Sequence, residues 1–414
     1  MRFHTNINSI IFLLILFSAN SFADKIIVDK KSSLNSIQKA ISLAKPHDEI
    51  IIKEGYYSEG NILIDKPLHI TEINFPTIDG DGKVEIITVK SDSVFISGII
   101  FKNAGISFLA ENAAIRLDEV KDCVIENNKF IKNFFGIYLS KSEKCLIQNN
   151  EIEASGKRET SSGNGIHLWY CKNITIQSNK IIGHRDGIYL EFVQNTLIKN
   201  NYSKNNLRYG LHFMFSDGCT YTENTFEDNG AGVAVMYTKN VVMNKNVFKN
   251  NWGPASYGLL LKDISDSKIE GNHFYKNTSG IYIEGCNRTE INNNIFEANG
   301  WAVKLMANSE DNIFTQNDFM NNSFDIATNS RQNFSTFNKN YWNKYKGYDL
   351  DKNEIGDVPY HPVKLYSIIT QQQQPAIILL HSLFIEILDI AESIFPALTP
   401  ENLVDNSPLM RRVN

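Results

Sequence analysis

Positive charge is scarce in this chain, and its scarcity excludes one large class of partners. The 41 lysine and arginine residues are outnumbered by 46 aspartate and glutamate residues, which leaves a formal net charge of −5. A nucleic-acid-binding protein needs a basic patch or stripe to neutralise phosphates. We therefore expect no nucleic-acid partner. The phosphate-cradling loop GxxxxGKS or GxxxxGKT is also missing, so we do not expect the chain itself to hydrolyse ATP.

Cysteine is scarce as well. The sequence has five cysteines, and an odd number cannot all pair within one chain. No two of them have the CxxC spacing of a thiolate zinc site. Cys123, Cys145 and Cys219 each stand five residues before a repeated asparagine, in a column that elsewhere holds small residues. We expect these thiols to be buried packing groups.

Long apolar runs are few, and the first of them predicts a secretory signal peptide over residues 1–23. Arg2 precedes the apolar residues 10–17, and Ser21-Phe22-Ala23 has the small-x-small pattern of a cleavage site. The run is too short to span a bilayer as a helix. An uncleaved membrane anchor is the alternative. Cleavage would remove one basic residue and leave 40 basic against 46 acidic residues, a net charge of −6.

Repetition is what the sequence has in abundance. A short strand motif recurs with start-to-start spacings of 29, 22, 23, 22, 26, 22 and 22 residues, and its copies begin at Gly136, Gly165, Gly187, Gly210, Gly232, Gly258, Gly280 and Ala302. A fixed period of this size indicates stacked units that bury their apolar faces against one another. Alternate positions form uninterrupted apolar columns, and a second strand in each unit ends at an asparagine. Stacked amides at one corner suggest a hydrogen-bonded ladder.

These patterns predict an all-β fold, a right-handed parallel β-helix with about 22 residues per coil. We expect an N-terminal cap over residues 24–60, built on a helix at residues 36–44, because an open first coil would expose its core. The solenoid is predicted over 61–345, with a possible cation-binding loop and linker over 346–370. Residues 371–414 complete the chain with a C-terminal amphipathic helix and tail for partner docking.

The stretch after the solenoid has oxygen-bearing side chains at alternate positions, as calcium loops do. The candidate calcium ligands are Asp349, Asp351, Asn353 and Asp357. The glycine comes late and no glutamate stands at the twelfth place, so a solvated turn is the alternative.

The C-terminal segment predicts one amphipathic helix from Ala376 to about Phe395, opened by Pro375 and closed by Pro396. Its apolar face is wide, but charged residues interrupt it, so we do not expect it to cross a membrane. It can fold back over the open end of the solenoid, dock to a partner, or do both. The predicted partner contacts on this helix are Leu383, Phe384 and Ile387.

Outward positions of the repeated strand place three soft-metal donors together. His212, Met214 and Met236 fall on adjacent strands, roughly 4.8 Å apart, on a face that we expect to point into solvent. Imidazole and thioether form the donor set that selects Cu(I). The alternative is that these side chains lie under a loop or form a protein contact patch. The same outward columns hold the remaining predicted partner contacts, His167, Trp169, Tyr189 and Glu191.

Solenoids of this shape also bind or cleave polysaccharides, so an enzymatic reading must be weighed. Acid–base cleavage needs two carboxyl groups about 5–9.5 Å apart. Glu191 and Glu284 are four coils apart, about 19 Å by strand spacing. Asp263 is nearer to Glu284, but Lys262 beside them favours an ion pair. We therefore expect that this protein is not an enzyme. A polysaccharide-binding or polysaccharide-modifying β-helix remains the alternative function, with aromatic candidates Trp169, Tyr189 and Tyr282.

Several stretches outside the generic repeat resemble the NosD family of periplasmic maturation proteins of nitrous oxide reductase. They are Gly183-His184-Arg185-Asp186-Gly187-Ile188-Tyr189-Leu190-Glu191, Arg208-Tyr209-Gly210-Leu211-His212-Phe213-Met214-Phe215-Ser216, Gly232-Val233-Ala234-Val235-Met236-Tyr237, Tyr257-Gly258-Leu259-Leu260-Leu261-Lys262-Asp263, Asn340-Tyr341-Trp342, Gly347-Tyr348-Asp349, Gly356-Asp357-Val358-Pro359-Tyr360 and Pro408-Leu409-Met410. The resemblance covers essentially the whole chain after the signal peptide.

The resemblance implies a periplasmic, non-catalytic scaffold. It implies an ABC transporter permease and its ATPase as partners, together with a lipoprotein copper chaperone and nitrous oxide reductase. Association with the membrane would then come through these partners. The resemblance supports copper handling, but it supplies no established ligand set for residues of this chain. The C-terminal helix is then expected to contact the permease.

Overall fold

The structure, a computed structural model, describes residues 24–107, 111–330, 333–380, 382–394 and 403–413. The predicted signal peptide lies outside the described residues. In the described part, the chain winds as a right-handed parallel β-helix, as the repeat predicts. Three parallel sheets run along the coil axis, with 14, 12 and 13 strands.

The 14-stranded sheet begins close to the first described residue. Its strands are Lys25–Val28, Glu49–Lys53, His69–Ile73, Phe95–Ser97, Val124–Glu126, Leu146–Gln148, Thr175–Gln177, Leu197–Lys199, Thr220–Thr222, Val242–Asn244, Lys268–Glu270, Glu290–Asn292, Ile313–Thr315 and Thr336–Asn338. The solenoid therefore starts earlier than the predicted boundary at residue 61, because the segment expected to cap it already contributes strands.

The 12-stranded sheet contains the repeated glycine-led motif. Its strands are Ile62–Ile64, Ile87–Val89, Ala113–Asp118, Phe135–Ser140, Ile166–Trp169, Asp186–Glu191, Tyr209–Met214, Ala231–Met236, Tyr257–Lys262, Ser279–Glu284, Trp301–Leu305 and Phe324–Thr328. Glycine recurs because coils approach closely here. A Cβ on Gly210 would lie 2.7 Å from the carbonyl oxygen of Gly232.

The 13-stranded sheet closes each coil. Its strands are Tyr56–Tyr57, Thr77–Asp79, Ile100–Lys102, Lys129–Ile131, Glu151–Glu153, Lys180–Ile182, Tyr202–Lys204, Thr225–Glu227, Val247–Lys249, His273–Tyr275, Ile295–Glu297, Asp318–Met320 and Tyr341–Trp342. Its inward phenylalanines form a stacked column, with ring centroids 4.1–5.5 Å apart from Phe226 to Trp342.

The predicted inward columns are buried, and the predicted asparagine ladder is present. From Asn128 to Asn340, each side-chain amide donates to the carbonyl oxygen of the next asparagine at 2.9–3.2 Å. The ladder ends on Asp405, whose Oδ2 accepts from Asn340 Nδ2 at 3.1 Å. A second ladder of buried asparagines, missed in the sequence, runs from Asn206 to Asn322.

The five cysteines are buried and free, as expected for packing groups. Helix α1, Ile37–Leu43, carries buried Ile37, Ala40 and Ile41 over the first coils. The Ser36 hydroxyl accepts from the Lys39 amide at its N-terminus. A 3₁₀ turn, Glu159–Ser161, lies in the insertion that produces the 29-residue spacing.

The C-terminal helical region corrects the sequence prediction of one helix after Pro375. It consists of α2, Leu365–Gln372, a 3₁₀ segment, Gln374–Leu379, and α3, Leu383–Ile394. Helix α2 therefore begins inside the segment 346–370, which was expected to be a loop and linker. Pro375 fits the start of the 3₁₀ segment, because its missing amide proton costs nothing there. None of the helices in the described part of the chain has the length and apolarity that crossing a membrane requires.

Candidate functional site

The predicted donor set lies on the outer face of the 12-stranded sheet. Met214 and Met236 are register partners on the adjacent strands Tyr209–Met214 and Ala231–Met236. His212 precedes Met214 by two residues, so both side chains point away from the core that holds Leu211 and Phe213. The three residues therefore share one face over two neighbouring coils.

The expectation that all three point into solvent is wrong for His212. This residue is only 2% exposed, whereas both methionines are half-buried. The Tyr209 ring lies 4.7 Å from the His212 ring, and the Tyr189 ring lies 4.9 Å from it. Tyr209 begins the same strand, and its side chain packs over the imidazole.

The buried imidazole of His212 has no hydrogen-bond partner on either ring nitrogen. Its nearest charged group is Asp186, whose Oδ2 lies 3.8 Å from His212 Nδ1. That carboxylate oxygen also lies 3.6 Å from Arg185 Nε, with which it forms an ion pair. Most buried polar atoms in proteins are hydrogen-bonded, so an imidazole with two unpaired nitrogens marks a functional candidate.

The thioether side of the site is open enough to be reached. The Tyr189 hydroxyl donates to Met214 Sδ at 3.9 Å, which orients one sulfur beside the histidine column. Ala234, the register partner of His212, carries only a methyl group toward this space. One nitrogen ligand and two thioethers fit Cu(I) as a cargo ion. Within the described ranges, no group of three or more His, Cys, Asp or Glu residues is placed to hold a metal ion.

His167 and His184 are buried on the same side of the solenoid. His167 stacks between Tyr138, at 4.5 Å, and Tyr189, at 4.8 Å, and its Nδ1 lies 3.0 Å from Asn164 Nδ2. Burial lowers the pKa of His167 to about 3, with the charges of Arg185 and Arg116 acting in the same direction. His167 was predicted as a partner contact, but it is buried and cannot meet a partner directly.

His184 lines a cavity of about 170 Å³ beneath the insertion that contains the 3₁₀ turn. Both of its ring nitrogens lack hydrogen-bond partners. Burial lowers the pKa of His184 to about 4, so the ring is neutral near pH 7. No repeat column contains this residue, so the sequence pattern did not predict its burial.

The other predicted contacts on this face are accessible only in part. Trp169 and Glu191 are half-buried register partners, and Glu191 in turn pairs with Met214. Tyr189 packs between His167 and His212, which leaves little of its ring for a sugar. Lys262 Nζ lies 4.0 Å from the Glu284 carboxylate, the ion pair expected from the sequence.

The predicted calcium loop is closed by its own backbone. The Asp349 carboxylate accepts from the amides of Asn353 and Glu354 at 3.1 and 2.9 Å. Asp357 accepts from the Leu350 amide at 2.7 Å, and Asp351 accepts from the Asn353 side chain at 2.8 Å. These oxygens serve as turn acceptors, and the described geometry gives calcium no support.

One face of helix α3 packs against the solenoid, and another face is exposed. Ile385 is buried in a cluster with Phe324 and Tyr366 against the solenoid. The Glu392 carboxylate accepts from the Leu365 amide at 3.1 and 3.2 Å and so caps α2. The predicted docking residues point the other way and are exposed: Leu383, Phe384 and Ile387.

The fold and the donor set define a β-helix protein with a candidate soft-metal site on one outer face. Comparison with known protein families supports the β-helix fold and similarity to a copper-binding family. A model of right-handed beta helix regions matches residues 25–162. A second model, described as periplasmic copper-binding protein (NosD), matches residues 153–355. The chain is therefore similar to the NosD family over this stretch, and the relatives below extend the similarity to most of its length.

Two curated relatives span most of the chain. One from Pseudomonas aeruginosa is 28% identical over 371 residues, which cover 85% of this chain and 86% of the relative. One from Stutzerimonas stutzeri is 25% identical over 373 residues, with 85% of each chain covered. Both are named probable ABC transporter binding protein NosD, a name that describes binding and no catalysis.

Solved structures share the fold alone. The surface adhesin PfbA of Streptococcus pneumoniae aligns with a TM-score of 0.55 at 15% identity, covering 72% of this chain and 95% of the adhesin. The catalytic unit of an α-1,3-glucanase from Streptomyces thermodiastaticus aligns with a TM-score of 0.56 at 11% identity, covering 72% of this chain and 63% of its own. One fold thus serves adhesion and hydrolysis, so fold does not decide function.

Proposed function

We propose that this protein is a periplasmic copper-handling scaffold for the maturation of nitrous oxide reductase. It takes Cu(I) as cargo from a lipoprotein copper chaperone, and it docks to the permease of an ABC transporter whose ATPase supplies the energy. Similarity to a family described as periplasmic and copper-binding supports the compartment and the ion. The name of the two relatives supports the transporter.

One observation carries the copper assignment. An imidazole without hydrogen-bond partners is buried beside two thioethers in register on adjacent strands. His212 would supply the nitrogen ligand, and Met214 and Met236 would supply the sulfur ligands. Neutral, polarisable donors stabilise Cu(I) over harder ions. A neutral donor set suits this place, because the nearby Asp186 carboxylate is already paired with Arg185 at 3.6 Å.

The copper assignment is tested by replacing the thioethers without removing their bulk. In Met214→Leu with Met236→Leu, we expect the Cu(I) affinity, measured by competition with a colorimetric Cu(I) chelator, to fall at least tenfold. Leucine conserves volume and apolarity, so packing should be retained. Met410→Leu is the matched control, because Met410 is an exposed methionine far along the chain. Unchanged affinity in the double variant would remove the assigned site.

A further inference from the structure

Four aromatic side chains form an exposed stack beside the methionine pair, and we name it the corner ladder. Its members are 48%, 37%, 42% and 40% exposed in chain order, and they are Tyr170, Phe192, Phe215 and Tyr237. Successive ring centroids lie 4.6, 5.2 and 5.1 Å apart, with interplanar angles of 23°, 8° and 16°. Each residue directly follows a strand of the 12-stranded sheet, at the same corner of four consecutive coils.

The backbone at this corner is unfavourable for bulky side chains. The four φ angles lie between 51° and 55°, in the left-handed region. Equivalent corners in the preceding coils hold Glu119 and Lys141, and those in the following coils hold Asp263 and Gly285. The aromatic side chains are therefore confined to the four coils that carry the methionine pair and their neighbours.

Stability alone does not explain the ladder. The flanking coils form the same left-handed corner with Glu119, Lys141 and Asp263, so aromatic stacking is not needed to build it. Exposed apolar groups held in strained conformations are characteristic of binding surfaces.

The ring orientation selects among possible ligands. Because the rings are stacked, Phe192 and Phe215 have a ladder neighbour on both ring faces, and their exposed parts are ring edges. Sugar stacking needs open ring faces, so the corner ladder is poorly suited to a polysaccharide. Aromatic edges pack well against apolar side chains and against methionine sulfur. The rim carries both signs of charge, because Asp217 lies between Lys172 and Lys239 along the stack of coils, and this does not favour an anionic membrane surface.

The size of the ladder indicates a transient protein partner. Three coil spacings make it about 14 Å long. Such a patch can form the central apolar anchor of an interface at the small end of the observed range, where transfer complexes lie. It is also separate from helix α3. Four strand spacings, about 19 Å, lie between Tyr237 and the last strand of the sheet, so a transporter bound at α3 leaves the ladder free.

We propose that the corner ladder is the docking surface for a soluble Cu(I)-carrying protein whose own metal site is ringed by apolar residues. The inference rests on the proposed function, because Phe215 and Tyr237 directly follow the assigned ligands Met214 and Met236. A partner seated on the aromatic edges would bring its ion within reach of the two thioethers. The copper stays Cu(I), and a bond to sulfur of this chain forms as a bond to the partner's ligand breaks.

The test uses Phe192→Asn with Phe215→Asn in the full mature chain. Asparagine tolerates the left-handed corner, so the substitution removes the apolar edges and relieves backbone strain. The probe is the soluble domain of the lipoprotein copper chaperone loaded with Cu(I), and its affinity is measured by biolayer interferometry. We expect at least tenfold weaker binding, while the Cu(I) affinity of the free scaffold stays unchanged.

Phe75→Asn is the matched control, because Phe75 is also exposed and left-handed but lies far from the ladder. It should leave chaperone binding unchanged. If the double variant fails to fold, Tyr237→Asn replaces it, since this residue stacks on only one ladder neighbour.

The outcomes separate this inference from the proposed function. Wild-type chaperone affinity in a folded ladder variant overturns the docking surface, and it leaves the copper site standing if Met214→Leu with Met236→Leu loses Cu(I). If Met214→Leu with Met236→Leu keeps its Cu(I) affinity, as the ladder variant should, the copper site itself is refuted. A loss of affinity for an acidic polysaccharide such as polygalacturonate in the ladder variant, with chaperone binding retained, would overturn the docking surface in favour of a glycan site.

Discussion

At the scale of single residues, the outer face of the 12-stranded sheet is defined by buried histidines without ordinary partners. A buried imidazole with both nitrogens unpaired costs about 1–3 kcal/mol for each unsatisfied group. His212 lacks hydrogen-bond partners on both nitrogens in the described structure. In the proposed Cu(I) site, one of these nitrogens would be the metal ligand.

Two of these histidines make the stability of the protein depend on pH. The pKa values of His167 and His184 are lowered to about 3 and about 4 by burial, whereas an unfolded histidine titrates near 6.5. The unfolded chain therefore binds more protons below pH 6.5. Their contribution to stability is complete above that pH and is lost as the pH falls toward 4. For each of the two histidines, the free energy of unfolding should fall by about 1.4 kcal/mol for every unit by which the pH is lowered in this window.

The histidine contribution can be isolated with His184→Leu. Leucine leaves no orphaned nitrogen and does not titrate, so the variant should lose less stability than the wild type between pH 6.5 and 5. Urea unfolding at these two pH values measures the difference. Parallel pH dependence in the two proteins would show that His184 is not buried in its neutral form.

At the scale of the repeated element, the asparagine ladder fixes how the coils stack. Asn224 is a typical member. Its Nδ2 donates to Ile198 O, Thr222 O and Asn246 Oδ1 at 3.0 Å, and its Oδ1 accepts from the backbone and side chain of Asn201. One side chain thus satisfies buried polar atoms on three coils.

Replacing that amide should destabilise the solenoid strongly. Asn224→Leu removes five hydrogen bonds and leaves the buried amide of Asn201 without its acceptor, and we expect a loss of about 3 kcal/mol or more in the free energy of unfolding. Asn244→Leu is the control, because Asn244 is half-buried and its side-chain oxygen has no partner. Its effect should stay within about 0.5 kcal/mol. Equal effects in the two variants would contradict a structural role for the ladder.

The repeated coil also shows which structural features the sequence pattern could predict and which it could not. The period predicted that Met214 lies beside Met236, and the register confirms it. It also predicted the first asparagine column. The second column and the corner ladder were missed, because their members follow short turns whose residues show no alternation. In the sequence, the aromatic residues at the left-handed corner cannot be distinguished from other variable surface residues. Only the coordinates show that they stack.

At the scale of the whole molecule, the described C-terminal segments close the solenoid and present one apolar surface. Asp405 ends the asparagine ladder and also accepts from Trp342 Nε1 at 3.1 Å. Helix α3 packs Ile385 inward and leaves Leu383, Phe384 and Ile387 exposed. Because these three apolar side chains are exposed, we propose that they contact the transporter.

That assignment predicts a specific loss of assembly. Leu383→Ser with Ile387→Ser removes the centre of the apolar face, and we expect at least tenfold lower recovery of the transporter permease when the tagged protein is purified from membranes. Melting temperature should change little, because both side chains are 56–71% exposed. Leu350→Ser, at a residue 78% exposed elsewhere, is the control. Full recovery of the permease with the double variant would place the contact on another surface.

The sequence by itself determined the coil period, the core columns, one amide ladder and the register that joins Met214 to Met236. These features are local and repeated, and each strand imposes the same alternation on the next. Only the tertiary structure decided that Tyr209 covers His212, that four corner aromatics stack, and that Asp405 closes the ladder. Such contacts join residues from different coils, turns and the tail, so no short-range pattern encodes them.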